Sequence, residues 1–360
     1  MKTSIILALA VMIVFLFTKV YYSTAHQPSV KSVKEGQPSG TYHSGNLNLE
    51  PASEKYRYES LQLYPIIASQ VFLLHHQELG PYLSLHEALD QKKIIVTELT
   101  TKENRRTDAA DLQEEEAGFD VAEVNRLFVE NVSSNTIIIL GGEVIRGGKQ
   151  DRMIAEDFMI MPHNGKIDIA VYCVEHGRWS GSDADAVFSI VMDVAPNKVR
   201  RAAKQAAPQE EIWAEIQELN EDLDVNAPTQ ALGSAVSDSK METSMQPYKD
   251  HLGKIEWPQR VVGVIAVMGN EILGLDVFAK HDLFIKYFPS LLSSYCSDAY
   301  GHRDSGMMPY EEVQSFFNIL IRSEQLFEKR IQENGTQLKH KEFRIHAAVY
   351  GDVNKNKDKR

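Results

Sequence analysis

The chain has 360 residues, 43% of them hydrophobic, enough to bury a core in one large or two modest domains. A formal net charge of −12 argues against general nucleic-acid binding, which relies on a basic footprint. No His-x-x-x-His or Cys-x-x-Cys spacing occurs, so neither a metal nor a cofactor is expected.

Lys2, the apolar run Ile5 to Phe17 and the small-x-small tripeptide Ser23-Thr24-Ala25 form the three parts of a secretory signal over residues 1–25. The run is shorter than the ~20 apolar residues of a relaxed transmembrane helix, so cleavage is the first expectation. A retained anchor through residues 5–17, with Tyr21 and Tyr22 at the interface, is the alternative. Either way the body is expected outside the cytoplasm, periplasmic or extracellular, with a possible N-terminal membrane tether. Cys173 lies in a strand-like run and Cys296 in a helix-like one, so both read as buried thiols that nothing in the sequence pairs.

Residues 26–48 are polar, rich in Ser, Gly and Pro, and read as a flexible linker. "LQLYPIIAS" (61–69) and "KKIIVTEL" (92–99) read as strands, with "YLSLHEALDQ" (82–91) a short helix between them. Residues 101–118, with Glu114 to Glu116, read as a solvated acidic loop. Next come "EVNRLFVEN" (123–131), "TIIILGG" (136–142), "QDRMIAEDFMIMP" (150–162) and "IDIAVYCVE" (167–175). Their short turns require antiparallel neighbours, and "AVFSIVMDVA" (186–195) adds one more strand.

Beyond Pro196 the pattern turns helical. Residues 209–223 place Ile212, Ile216 and Leu219 on one face, and a further helix is expected over about 229–251. "QRVVGVIAVMGNEILGLDVF" (259–278) reads as a hairpin turning at Gly269-Asn270. Two helical stretches, 281–300 and 309–330, follow, with Pro289 expected to kink or break the first. Strands at about 331–337 and in "FRIHAAVYG" (343–351) close the chain. Grouped strands and helices predict an α+β fold. A central, mostly antiparallel sheet or sandwich spans residues 58–195, and a helical C-terminal half packs on it with a closing hairpin. The single globular domain is expected over 49–352, with a disordered tail at 353–360.

"LGGEVIRGGKQDRM" (140–153) looks like a phosphate-binding loop, but counting back from Gly148-Lys149 puts the first required glycine at Glu143. Gln150 lacks the hydroxyl that ligates magnesium, and no helix follows. The stretch reads instead as a strand reversal in which Gly147 and Gly148 supply positive φ. Register counting puts Met161 near Ile167, Arg152 opposite Glu175 or His176, and Glu143 opposite about Asp151. Glu143, Lys149, Gln150, Arg152, Glu175, Arg178 and Trp179 then gather at one sheet end, with Arg146 adding a further cation.

That set suits a small anionic or sugar-phosphate ligand, through charge-assisted bonds from arginine and stacking on tryptophan. Two alternatives stand beside it. Glu143 and Glu175 could serve as acid and base of a hydrolase if they flank a bond. Equally, Arg152 and Glu175 could be a cross-strand ion pair in an envelope structural protein with no small-molecule site. Elsewhere, Ser182 lacks the Gly-x-Ser-x-Gly elbow, a Cys173–His176 dyad fails on strand parity, and Asn131 and Asn334 head glycosylation sequons.

"LGGEVIRGGKQDRM" followed by "VYCVEHGRW", "EEIWAEI", "GLDVF" and "SYCSDA" resembles a bacterial domain family named for its association with ADP-ribosylglycohydrolase and rhodanese-phosphatase superfamily proteins. The resemblance covers most of residues 50–350. Gly142-Glu143, Lys149-Gln150, Arg152 and Cys173 to Glu175 with Gly177 to Trp179 fit the family pattern. Gly141 stands where the family often carries a second acid, which weakens any mechanism with two carboxylates in this turn. The resemblance implies an ADP-ribose-like ligand class by association alone.

Overall fold

A computed structural model describes residues 41–98, 125–148, 150–175, 188–204, 209–222, 231–298 and 306–351, with strands and helices numbered here along the chain. These elements fall in one unit, Ser39–Arg360. The largest sheet draws on both ends of that unit. It contains β1 (Leu47–Leu49), β2 (Arg57–Tyr58), β3 (Leu61–Ala68), β13 (Val261–Met268), β14 (Glu271–Phe278), β15 (Gly335–His340) and β16 (Phe343–Tyr350). The order is β1-β3-β13-β14-β16-β15, with β2 on β3, all antiparallel. In β3, Leu61, Leu63 and Ile67 face one core while Tyr64, Ile66 and Ala68 face another, so the strand serves two layers. Pro65, which has no N–H to donate, sits where pairing with β1 ends at Ile66.

A six-stranded sheet runs β12-β8-β9-β11-β6-β5. Its strands are β5 (Ile94–Glu98), β6 (Arg126–Asn131), β8 (Glu143–Gly147), β9 (Arg152–Ile154), β11 (Lys166–Cys173) and β12 (Phe188–Val194). A three-stranded sheet joins β10 (Phe158–Ile160), β7 (Thr136–Ile139) and β4 (Tyr82–Ser84), and β4–β7 is its parallel pair. Ile137 and Ile139 of β7 point into a core shared with Ile145, Ile154 and Val171, whereas Ile138 belongs to the core of the large sheet. That alternation makes β7 the seam between the two halves.

Nine α-helices cover these sheets among the described residues: α1 (Gln70–His75), α2 (Leu85–Asp90), α3 (Asn197–Lys204), α4 (Gln209–Asp222), α5 (Leu232–Val236), α6 (Ser239–Leu252), α7 (His281–Ser297), α8 (Tyr310–Leu320) and α9 (Glu324–Asn334). The fold is α+β, as the grouping of elements implied. Ile212 and Ile216 of α4 are fully buried against Val144, Met153 and Val199.

Several expectations change in detail. The last residues of the stretch read as a linker belong to the fold, because Tyr42, Asn46 and Leu47 are buried. The 229–251 helix is two, α5 and α6, with Asp238 capping the second through its bond from the Lys240 N–H. Pro289 lies inside an unbroken α7, where Phe284, Tyr287, Phe288, Leu291, Leu292 and Tyr295 bury enough surface to outweigh its ~3 kcal/mol penalty. Residues 331–334 finish α9 rather than open a strand. The 162–166 turn does not close a hairpin, since β10 pairs with β7 and β11 with β6. Asn131 holds this crossover: its Oδ1 accepts the Ser133 N–H, its own N–H donates to Asn164 Oδ1, and its side-chain amide donates to Ile160 O.

Candidate functional site

The glycine turn before β8 is filled by the protein's own acids. The Leu140 N–H donates to Glu143 Oε2 at 2.6 Å, and the Gly141 N–H donates to Asp157 Oδ1 at 2.8 Å. Amides of the kind that would cradle a phosphate thus meet carboxylates instead, which gives the non-nucleotide reading its structural cause. Gly142 takes φ +95°, and a Cβ there would sit 2.9 Å from Arg200 Cγ. Burial pushes the Glu143 carboxyl up to about 8; its bond from Leu140 opposes this and the nearby Asp157 charge adds to it. Glu143 is therefore largely protonated at neutral pH.

Asp157 leads into a buried relay that crosses to the large sheet. His346 Nδ1, on β16, lies 2.6 Å from Asp157 Oδ2, and its Nε2 lies 3.3 Å from Asp276 Oδ1 on β14. Arg200 Nη2, on α3, donates to Asp276 Oδ1 at 3.0 Å, and the Tyr295 hydroxyl donates to Asp276 Oδ2. Burial alone would lower the His346 pKa, but the Asp157 carboxylate and then Asp276 raise it to about 9. Burial likewise opposes ionisation of Asp276, yet Arg200 and His346 hold its carboxyl well below the usual range. Two cations and two anions compensate one another. Both imidazole nitrogens face carboxylates, leaving neither to take a substrate proton, so the relay is a clamp between the two halves.

A second buried group forms at the other end of β8. Arg152, 2% exposed, pairs across the ladder with Ile145 on one side and Cys173 on the other. Its Nη1 donates to Gln150 Oε1 at 3.2 Å and to Asp151 O at 3.4 Å. Its Nη2 stands 3.7 Å from Glu98 Oε1, and its Nε has no partner. Glu175 Oε2 accepts the Asp151 N–H at 3.2 Å. Gln209, the first residue of α4, acts as a short stand-in strand on Cys173: Oε1 accepts the Cys173 N–H at 2.9 Å and Nε2 donates to Cys173 O at 2.8 Å. That bracket fixes the chain leading from β11 to Glu175.

Gln150 and Arg152 therefore meet, and Glu175 reaches the Asp151 N–H between them. Glu143 makes no bond to them: it opens β8, two residues or roughly 7 Å along the strand from Ile145, the rung of Arg152, and accepts the Leu140 N–H instead. The acid facing Arg152 is Glu98, not Glu175 as the register count suggested, because Cys173 occupies the rung opposite Arg152. Lys149, Arg178, Trp179, the 1–25 segment and the acidic loop at 101–118 lie outside the described residues. Two surface concavities, one lined by Lys198, Glu215 and Asp298 and the other by Glu311, Gln314 and Arg322, take no residue from either group.

Sequence reasoning missed Glu98, Asp157, Arg200, Asp276 and His346. The available sign was an acid in "GLDVF" and a histidine in "FRIHAAVYG", charged residues set into apolar strands. Both cysteines are buried free thiols. The sequon asparagines are structural: Asn131 donates to Asn135 O and Ile160 O, and Asn334 to Tyr350 O.

Fold and site together define an α+β domain in which a rolled antiparallel unit is clamped to a larger helix-covered sheet by buried charge. The chain belongs to the ARG and Rhodanese-Phosphatase-superfamily-associated Protein domain family, whose model matches residues 51–354. That span contains every residue of both groups. Neither a curated relative nor a solved structure matches the chain.

Proposed function

We propose that this chain is an exported ligand-binding or accessory module whose ligand is a small anion of the sugar-phosphate, ADP-ribose-like class. The observation that carries this reading is Arg152, a buried guanidinium whose nearest carboxylate among the described residues, Glu98, stands 3.7 Å from Nη2 and whose Nε is unpartnered. A buried charge so loosely compensated is costly, and an oxyanion would relieve it. The family's named association with ADP-ribosylglycohydrolase proteins supports the ligand class by analogy. Export rests on Lys2, the Ile5–Phe17 run and Ser23-Thr24-Ala25, with a tether through residues 5–17 as its variant. Among the described residues no helix is long and apolar enough to cross a membrane.

One observation favours a hydrolase as the second reading: Glu143 holds its proton up to about pH 8, the state a general acid needs. Against it, the Glu143 and Glu175 carboxylates are anchored at opposite ends of β8, by Leu140 and Asp151. Binding is accordingly preferred.

A thermal-shift titration with ADP-ribose, ribose 5-phosphate and inorganic phosphate tests the reading. A true ligand at ~100 times its Kd adds about 2.7 kcal/mol of stability. Arg152→Lys, which keeps the charge and removes the fork, and Gln150→Ala should each diminish the shift. No shift with any probe, or shifts indifferent to both substitutions, would refute it. Release of product from an ADP-ribosyl conjugate, lost in Glu143→Gln, would move the conclusion to the hydrolase.

A further inference from the structure

Among the described residues, one face of α8 is left uncovered. Val313, Phe317 and Leu320 turn into the core on the large sheet, which fixes the opposite side outward. That side holds Glu311, Gln314, Ser315, Asn318 and Ile319, and Arg322, just beyond the helix end, completes the stripe. The six line one shallow concavity of about 300 Å³. Ile319 is 55% exposed, more than any other large hydrophobic side chain among the described residues. Glu311 and Arg322 close the two ends of the stripe, and both are exposed. They stand roughly 16 Å apart at the helical rise, too far to meet within one chain. Neither enters an ion pair among the described residues.

The spacing of the stripe is self-complementary. Turned end for end about a point between Ser315 and Asn318, it sets Glu311 against Arg322, Gln314 against Ile319, and Ser315 against Asn318. In a two-fold dimer each of these pairings occurs twice, because residue i touching j requires j touching i. Two Glu–Arg pairs then flank the contact. Each Ile319 covers a Gln314 whose amide already donates to the Tyr310 hydroxyl at 3.0 Å. Serine and asparagine at the centre let the two axes approach closely. The antiparallel arrangement also places the acid-bearing start of each helix beside the basic end of the other, which the helix dipoles favour. A parallel arrangement would set like charges together.

We propose that this face of α8 is a self-association surface whose occupant is α8 of a second copy of the chain, packed antiparallel about a two-fold axis. A different protein would have to present the same order of charges by coincidence, whereas a second copy presents it by identity. One helix pair falls below the roughly 1,200 Å² of stable interfaces, so the dimer is weak and reversible, with charge at its ends setting the register. The surface takes no residue from the Arg152 group, and the proposal stands independently of the ligand reading.

Sedimentation equilibrium of the full chain, from micromolar to several hundred micromolar, tests it. Glu311→Arg and Arg322→Glu each turn two attractive contacts into two repulsive ones, and each should weaken dimerisation about ten-fold or more. Both positions are exposed, so both variants should fold, which circular dichroism checks. An equimolar mixture of the two single variants puts opposite charges back at both contacts and should form a heterodimer of near wild-type strength. Loss in each variant with recovery in the mixture supports the antiparallel register. A chain that stays monomeric throughout the range overturns the proposal, as does loss in only one variant or loss in both without recovery. Association unchanged in both variants overturns it too, and would assign the contact to another surface such as the apolar run at residues 5–17.

Discussion

Asp157 Oδ2 and His346 Nδ1 meet at 2.6 Å although 189 residues separate them in the chain. Asp157 belongs to the rolled strand unit and His346 to the large sheet, so this contact ties the two layers beside the apolar seam of β7. Replacing His346 with leucine would leave Asp157 and Asp276 buried without the cation between them. Breaking a buried pair in this way costs about 3–5 kcal/mol, whereas an exposed pair is worth roughly 0–1. Urea denaturation of His346→Leu should show that larger loss, and Arg330→Ala, which removes a solvent-exposed pair with Glu333, should be near neutral. A loss below about 1 kcal/mol in His346→Leu would show that the clamp is not energetically coupled to the fold.

The same contact predicts the pH dependence of stability. Glu143 moves from an ordinary 4.5 up to about 8 on folding, and His346 from 6.5 up to about 9. In both cases the folded state binds more protons than the unfolded state within that window, so stability falls as pH rises. Glu143 contributes its decline between about 4.5 and 8, and His346 between 6.5 and 9, with overlap from 6.5 to 8. Asp276 acts on the other side: its depressed carboxyl stabilises above the ordinary 3.8 and loses that contribution as pH falls further. Unfolding free energy should therefore be greatest in mildly acidic buffer and drop by several kcal/mol toward pH 9. Glu143→Gln, a permanently neutral analogue, should flatten the part of the curve below pH 8. Stability that rises from pH 6.5 to 9 would contradict both assignments.

What could be read in advance follows from how local each feature is. The helical spacing of Ile212 and Ile216 and the Gly269-Asn270 reversal depend on neighbours a few residues away, and both are where the sequence placed them. The company of Gln150 and Arg152 was legible because they lie two residues apart in one short stretch. Glu98 was not, since its approach to Arg152 requires knowing that β5 and β12 are the two edges of one sheet. The "PHNGK" turn misled for a related reason: turn residues specify that the chain reverses, not which strand it meets next, and Asn131 sends it to another sheet. His346 and Asp276 were visible as charges in apolar strands, but only the third dimension pairs them.

Two glycines with positive φ separate backbone strain from crowding. Gly165 has φ +68° and open space where a Cβ would lie, so Gly165→Ala should cost only the left-handed penalty, about 1–2 kcal/mol. Gly142 has φ +95°, and its added Cβ would press on Arg200 Cγ at 2.9 Å. Arg200 cannot yield freely, because Asp276 holds its Nη2 at 3.0 Å and its guanidinium lies over the Tyr350 ring. Gly142→Ala should therefore cost at least ~2 kcal/mol more than Gly165→Ala. Equal melting temperatures for the two variants would show that Arg200 has room to move.

Gln209 offers the sharpest test of whether the Arg152 group is positioned from outside its own sheet. Its side-chain amide meets both the N–H and the carbonyl of Cys173, the residue on the rung opposite Arg152. Gln209→Leu fills similar volume but removes both of those bonds, at about 0.5–1.5 kcal/mol for each. Gln209→Glu retains an acceptor for the Cys173 N–H and loses the donor to its carbonyl, so it should fall between wild type and Gln209→Leu. Hydrogen exchange at the Cys173 amide reads the effect directly: protection should drop in Gln209→Leu and persist in Gln209→Glu. Were protection unchanged in Gln209→Leu, the end of β11 would be held by its pairing with β9 alone, and α4 would have no part in fixing the frame around Arg152.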